Sequence, residues 1–584
     1  MAARRRHDGP PAAMKGPSPV LQRAVAACGR GDWADAERIC RQALAGNPRS
    51  FAALNLLGFV LAQVGRIAEA ADCLGRAVAE NPRDTAAQNN LGYILQQLDR
   101  PVEALACYDR AIGAEPKHAG AHCNRGHVLL ALGRKEEALA SCDRALALAP
   151  SLAEAHLNRG NALRELGRRE AALASFRRAI ELDPQMAAAH NDCGALLQKL
   201  GRMAESEQSY RQAIALAPTF AEAHNNLGAL LRELGRDEDA IACFDRAIAA
   251  RSDYADAHWN KSLALLAVGD YARGWPLYEW RWKIARGISA RRALPQPLWL
   301  GDEPLDGKTI LLYAEQGLGD AIQFARYAKL VADRGARVLL EIPASLLRLF
   351  ATLGGVAELV RLGDPLPAFD CHCPLMSLPL AFRTELATIP APRAYLAADL
   401  ADAERWRSRL GNPGATRVGL AWAGGFRLDQ PELWDLDARR NIGLAHLAPL
   451  EDPRIAFYSL QKGERAEAEL ARLRAEGWGG PKIVDFTAEL RDFADTAALV
   501  SALDLVITVD TAIAHLAGAL GKPVWILNRF DSCWRWLRGR TDSPWYATAR
   551  LYTQLRPRDW TAVIDAVRVD LPRFARANAD AQGF

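Results

Sequence analysis

Two short segments concentrate the groups that could bind an anion and move a proton. The first is Glu315-Gln316-Gly317-Leu318-Gly319-Asp320. It follows the apolar run Lys308–Ala314, read as a buried strand, and precedes a helical stretch starting at Ala321. A strand, a glycine turn and a helix start make a ligand-binding corner. Gly317 and Gly319 fit the first two glycines of a dinucleotide fingerprint. Ile322 stands at the third position and cannot allow the same close approach, which argues against an NAD site. Asp320 falls at an N-cap position, where capping is its plain structural role. At the mouth of a parallel sheet, its carboxylate is also placed to act as a general base.

The second segment runs from Leu505 to Leu527 and reads as strand, two-residue turn, short helix, Gly/Pro stop and strand. Thr511 opens the helix, whose free backbone N–H groups make an anion site. His515 lies four residues on, on the face of Thr511; Asp510 precedes both. Arg440, just before Asn441-Ile442-Gly443-Leu444, reads as an ordinary surface arginine or as a cation for a bound anion. Gly424 and Gly425 end a strand and could admit phosphate closely. Gln461 and Lys462 follow the strand ending at Leu460 and are candidates near a nucleotide.

The elements that must position these groups alternate strand and helix. Strands are expected at Lys308–Ala314, Ala336–Ile342, Arg417–Trp422, Ile455–Leu460, Lys482–Asp485 and Leu505–Val509. They imply two parallel, doubly wound sheets in series, facing a cleft. The stretch 287–304, rich in Arg, Pro and Trp, reads as a linker.

The first half is periodic instead. Pro48, Pro82, Pro116, Pro150, Pro184 and Pro218 recur every 34 residues, as do Gly58, Gly92, Gly126, Gly160, Gly194 and Gly228. A turn series adds Gly65, Gly133, Gly167, Gly201, Gly235 and Gly269. Such a unit is a helix–turn–helix pair: small residues let its helices approach, and the proline stops the second one. One hairpin cannot bury its own apolar face, so about seven of them, and then an altered one, must stack. The altered one, Gly274–Trp282, is heavily aromatic, as a surface that docks onto the next domain would be.

Two ladders run through the repeats. His122, His156, His190, His224 and His258 stand one per hairpin, roughly 15–20 Å apart given about 8–10 Å per helix contact. That is too far for a shared metal site and points to packing between hairpins. Asn90, Asn124, Asn158, Asp192, Asn226 and Asn260 follow two residues later. A ladder of amides offers paired donors and acceptors for an extended peptide, merely solvates a groove, or bonds within its own hairpin.

Composition excludes other classes. A net charge of +4 gives no reason to expect nucleic acid or an acidic membrane surface. No run of 18 apolar residues occurs, so no membrane span is expected. An odd count of 11 scattered cysteines fits reduced thiols and a cytoplasmic setting. Cys371-His372-Cys373 lacks a second ligand pair, and Asp435-Leu436-Asp437 is a lone D-x-D triplet read as part of a surface loop. No metal is expected.

The 34-residue unit resembles the tetratricopeptide repeat, and its asparagine ladder is similar to that of O-linked N-acetylglucosamine transferases. That likeness implies a protein acceptor guided along the groove. Asp510-Thr511-x-x-x-His515-Leu516-Ala517-x-Ala519-x-x-x-Pro523, with Gly319-Asp320 about 190 residues before it, resembles glycosyltransferase family 9, the ADP-heptose:lipopolysaccharide heptosyltransferases. This resemblance implies a GT-B fold, transfer from a nucleotide-sugar with inversion and no metal or other cofactor, Asp320 as base, and Asp510, Thr511 and His515 at the donor phosphate. The segments 426–440 and 534–546 depart from the heptosyltransferase pattern, which leaves the sugar and the acceptor open. The expected architecture is an all-α tetratricopeptide superhelix followed by an α/β GT-B module of two Rossmann-like lobes. Its parts are a disordered leader (1–19), the superhelix (20–286), a linker (287–307), an N-terminal lobe (308–410), a C-terminal donor-binding lobe (411–570) and a tail (571–584).

Overall fold

The computed structural model describes residues 18–284, 291–411, 414–425 and 434–582. They form two compact units that divide at Leu230/Leu231. The leader up to residue 17 and the start of the linker lie outside the described residues.

The first unit is a row of helical hairpins, from Pro19–Gly29 with Trp33–Gly46 to Ala187–Lys199 with Met203–Leu216. The periodic glycines act as the spacing implies. A Cβ on Gly160 would stand 2.5 Å from Phe176 Cε1, so only hydrogen lets the two helices close. Gly133 holds φ at +73°, and Asp99 fills the rung that lacks a glycine with φ at +56°; both reverse the chain in the left-handed region. The histidines join hairpin to hairpin. His122, His156, His190 and His224 each set Nε2 against the carbonyl oxygen of Pro116, Pro150, Pro184 or Pro218, at 2.9–3.2 Å. In the third repeat Gln88 Nε2 donates to Pro82 O in the same way (2.9 Å).

The second unit contains Asp237–Ala250, the altered hairpin Ala255–Ala267 with Tyr271–Tyr278, and both sheets. The first sheet holds β1 (Thr309–Tyr313), β2 (Arg337–Ile342), β3 (Glu358–Arg361) and β4 (Cys371–Pro374), in the order β3-β2-β1-β4. The second holds β5 (Thr416–Ala421), β6 (Ile455–Ser459), β7 (Ile483–Asp485), β8 (Leu505–Val509), β9 (Val524–Asn528) and β10 (Ala549–Thr553), in the order β10-β9-β8-β5-β6-β7. All pairings are parallel. The second order is the doubly wound one, which reverses between β5 and β8 and opens a crevice at their carboxyl ends.

The aromatic junction is glue, as its composition implies. Trp275 and Tyr278 meet Trp534 edge-on at 5.3 and 6.2 Å, Tyr271 lies against Trp545, and Phe324 touches both tryptophans. One apolar core runs from Leu266 through both lobes to Leu551.

Three expectations are corrected. The helix after β1 starts at Leu318, so Gly317 is its N-cap and Asp320 sits in its first turn. Asp437 of the D-x-D triplet lies in the helix Trp434–Arg440, fully buried and paired with Arg440, rather than on a surface loop. The helix Thr561–Gln582 runs on through the tail because Leu571 and Ala575 pack into the core behind the second sheet.

Gly160→Ala is expected to cost about 1–3 kcal/mol by overpacking. Gly75→Ala, in open space on the helix Ile67–Glu80, is expected to be neutral or to stabilise by up to about 1 kcal/mol. Urea unfolding followed by circular dichroism separates the two.

Candidate functional site

The carboxyl ends of β5, β6 and β8 border a cavity of about 340 Å³, the size of a small-molecule site. Its walls include Ala423, Gly424 and Gly425 after β5, Gln461 and Lys462 after β6, and Thr511, Ala512 and Ile513 after β8. Leu318 and Ser345 close it from the N-terminal lobe, and Phe493 and Thr496 from the helix Phe493–Ser501. Five of the sequence-derived donor residues thus come together on one wall.

Thr511 is the N-cap of the helix Ala512–Ala519, its Oγ1 accepting the Ile513 N–H at 3.2 Å. The first turn of that helix lies on the cavity, where the helix dipole favours negative charge. Arg440 backs the glycine turn: a Cβ on Gly424 would stand 2.6 Å from its Nη2, which donates to Gly425 O at 3.2 Å. Asn441 Oδ1 accepts the Gly424 N–H at 2.8 Å.

Gln461 and Lys462 line the cavity but are spent on the fold. Gln461 Oε1 accepts the Trp422 and Ala423 N–H groups and its Nε2 donates to Ala423 O and Lys462 O, all at 2.9–3.0 Å. That grip ties the β5 and β6 loops together. Lys462 Nζ donates to Thr487 O at 2.7 Å.

Asp320 is not among the residues lining the cavity; it follows Leu318, which is, by two positions. One carboxylate oxygen accepts the Gly317 N–H at 3.0 Å, and the other pairs with Arg535 of the C-terminal lobe. Arg535 Nε also donates to Gln323 Oε1 at 2.7 Å. Burial works against the Arg535 charge, yet Asp320, with Cys533, Tyr278 and Asp510 beyond, holds its pKa above the usual arginine value. Arg535 is a site residue that the sequence reading passed over. The signal was present in the 534–546 stretch, which was noted only as a departure.

His515 is not on the cavity wall. Its Nδ1 bonds to the Tyr546 hydroxyl at 2.9 Å, and its ring stacks on Trp536 at 5.4 Å. A Cβ on Gly319 would stand 2.8 Å from His515 Cδ2 and 3.4 Å from Ala512 Cα. The glycine therefore lets the helix starts of the two lobes touch, and His515 is the surface they touch on. Burial, with Arg535 nearby, pulls the imidazole down to about 3, so the ring is neutral. Asp510 is half-buried, and its charge acts on His515 and Arg535.

Most of the asparagine ladder is stitched across hairpins. Asn124 Nδ2 donates to Asn89 Oδ1, Asn158 to Cys123 O and Asn226 to Asn191 Oδ1, at 3.0–3.3 Å. Asp192 accepts from Asn161 and Asn191 at 3.1 and 3.2 Å, and burial raises its carboxyl pKa. Asn90 is buried, and Asn260 belongs to the second unit.

Residues 443–527 match the family model of glycosyltransferase family 9 (heptosyltransferase). Tetratricopeptide repeat models match residues 28–91, 95–153, 160–201, 194–253 and 225–278. The chain carries tetratricopeptide repeats and a glycosyltransferase family 9 domain. The matched family 9 segment holds Gln461, Lys462, Asp510, Thr511 and His515, while Asp320, Gly424, Gly425 and Arg440 lie outside it. Protein FlbA of Caulobacter vibrioides is 29% identical over 341 residues, 54% of this chain and 54% of that protein. The chain thus spans about half the length of the curated relative it matches. Among solved structures, a tetratricopeptide repeat protein from Parabacteroides merdae is 18% identical with a TM-score of 0.38, covering 42% of this chain and 97% of that chain. A thermophilic TPR protein in Thermus thermophilus is 26% identical with a TM-score of 0.29, covering 31% and 100%. Among the described residues, no helix is long and apolar enough to cross a membrane.

His515 is expected to stay neutral through the physiological range. The unfolded chain takes up this proton near 6.5 and the folded chain only near about 3. Stability from the buried neutral ring is therefore intact above about pH 6.5 and lost progressively as pH falls toward 3. Histidine-labelled NMR checks this: the His515 signal should not titrate between about pH 8 and pH 5, and a midpoint near the free value would contradict it.

Proposed function

We propose that the chain is a glycosyltransferase that moves a sugar from a nucleotide-sugar donor to an acceptor hydroxyl, with inversion and without a metal. The observation that carries this is the convergence on one cavity of a glycine turn, a capped helix start and the N-terminal lobe's Leu318, two residues from Asp320.

In this reading the donor phosphate lies at the first turn of the helix capped by Thr511, where N–H groups and the dipole stabilise the charge that develops on the leaving group. Gly424 and Gly425 admit it closely, and Arg440 behind them adds positive charge. The acceptor oxygen attacks the anomeric carbon as the bond from that carbon to the phosphate oxygen breaks. The nucleotide leaves with the bonding pair, and the hydroxyl proton passes to Asp320. A carboxylate oxygen has two lone pairs, so the bonds to Arg535 and Gly317 orient Asp320 and still leave acceptor capacity. His515, neutral and buried, sets the spacing of the two helix starts.

The acceptor in this proposal is a protein engaged by the repeats, which are protein-interaction modules. A second reading takes a glycan acceptor, as the heptosyltransferase likeness suggests. The observation favouring it is that amides of the ladder are engaged with neighbouring repeats. A nucleotide-sugar screen read by mass spectrometry, with lysate proteins and free glycans offered side by side, separates the two.

Asp320→Asn is expected to lower transfer by two orders of magnitude or more, about the range of a lost general base, while nucleotide binding persists. Steady-state kinetics with nucleotide titration checks this, and undiminished turnover would reject Asp320 as the base.

A further inference from the structure

The carboxyl edge of the second sheet carries another cluster that the cavity does not use. Just past β9, Arg529 and Asp531 meet Arg232, Glu233 and Asp237 from the repeat side, Arg439 from the helix Trp434–Arg440, and Arg538. Arg439 Nη1 pairs with Glu233 at 2.5 Å and with Asp531 at 2.9 Å. Arg538 pairs with Asp237 at 3.0 Å and donates to Phe530 O and Arg232 O at 2.8 and 3.1 Å. Arg529 Nε stands 3.4 Å from Asp531 Oδ1, outside good hydrogen-bond geometry.

Among the described residues, four guanidinium groups meet three carboxylates, and Asp237 Oδ1 is itself buried without a donor. The imbalance falls on two of the arginines. Nε and Nη1 of Arg529 and Nε of Arg232 are shut off from solvent with no hydrogen-bond acceptor, and the Arg529 side chain is only 13% exposed. Burial pulls the Arg232 pKa down, and Arg529 and Arg538 push the same way, against Asp531. Buried donors of this strength are normally satisfied, and a buried cation is normally paired. Arginine is also the side chain best matched to the oxygens of phosphate and carboxylate groups.

We propose that Arg232 and Arg529 form a binding site for a small oxyanion, a phosphate or carboxylate group presented at the carboxyl edge of the second sheet. An anion there supplies acceptors for the three orphaned N–H groups. None of these residues lines the cavity described above, so the site stands whether or not the chain transfers sugar.

Thermal unfolding of the full chain tests this, with inorganic phosphate or acetate added at constant ionic strength. Phosphate should raise the midpoint by a few degrees in the wild type. It should also do so in Thr511→Val, which removes the helix cap at the cavity and so starts from a lower anion-free midpoint but leaves the arginine cluster intact. In Arg529→Gln the rise should vanish, while the anion-free midpoint matches or exceeds that of the wild type because an uncompensated buried charge is gone. Acetate acting in place of phosphate would identify the ligand group as a carboxylate. Arg232→Gln repeats the test should Arg529→Gln fold poorly. No shift with either anion, or a shift that survives in both arginine variants, overturns the proposal.

Discussion

The ion pair between Asp320 and Arg535 is the constraint on which the geometry of the α/β half depends. It joins residues 215 apart in sequence, one in the first helical turn after β1 and the other in the short 3-10 turn Trp534–Trp536, inside a shared apolar core. The residues flanking Arg535 make the pair possible. Trp534 sits among Trp275, Tyr278 and Phe324, and Trp536 stacks on His515. One tripeptide thus fixes the altered last repeat, the N-terminal lobe and the family 9 helix against one another. A half-buried pair of this kind adds little net stability, and its effect is to select one arrangement, since any other leaves two partly desolvated charges without each other.

Other links also cross the lobes. Arg326, buried, donates to Trp545 O and Pro390 O, while Arg348, exposed, spans to Asp492 and Asp495. On the repeat side, Arg281 is buried between Glu279 and Glu315, with Ser377 as a further acceptor. Burial pushes the Glu315 carboxyl up to about 7, with Arg281 pulling back and Glu279 pushing further. Glu315 begins the loop that leads to Asp320, so the cap of the repeats grips the loop that carries the proposed base.

Much of this was legible in the sequence, and what was legible shares a cause. The strands read from apolar runs match β1, β2 and β5 to β8 within one residue at either end, because a parallel strand is buried on both faces and has no other pattern. The short β3, β4 and β10 carry too few apolar residues to stand out. Thr511 as a helix cap and the positive φ of the turn glycines are local facts, set by side-chain chemistry and by the lack of a Cβ. What was not legible depends on pairs distant in sequence. Nothing near Asp320 announces Arg535, and nothing near His515 announces that Tyr546 and Trp536 turn its ring away from the cavity. Gln461 was found by position, while its four backbone bonds are visible only once β5 and β6 lie side by side.

Hydrogen–deuterium exchange of the full chain, with and without a panel of nucleoside mono- and diphosphates, tests the central claim most directly. The account predicts that a bound nucleotide slows exchange together at 421–425, at 511–515 and at 317–320, since one cavity draws on both lobes. Protection confined to one lobe, or found only away from these three segments, would contradict it.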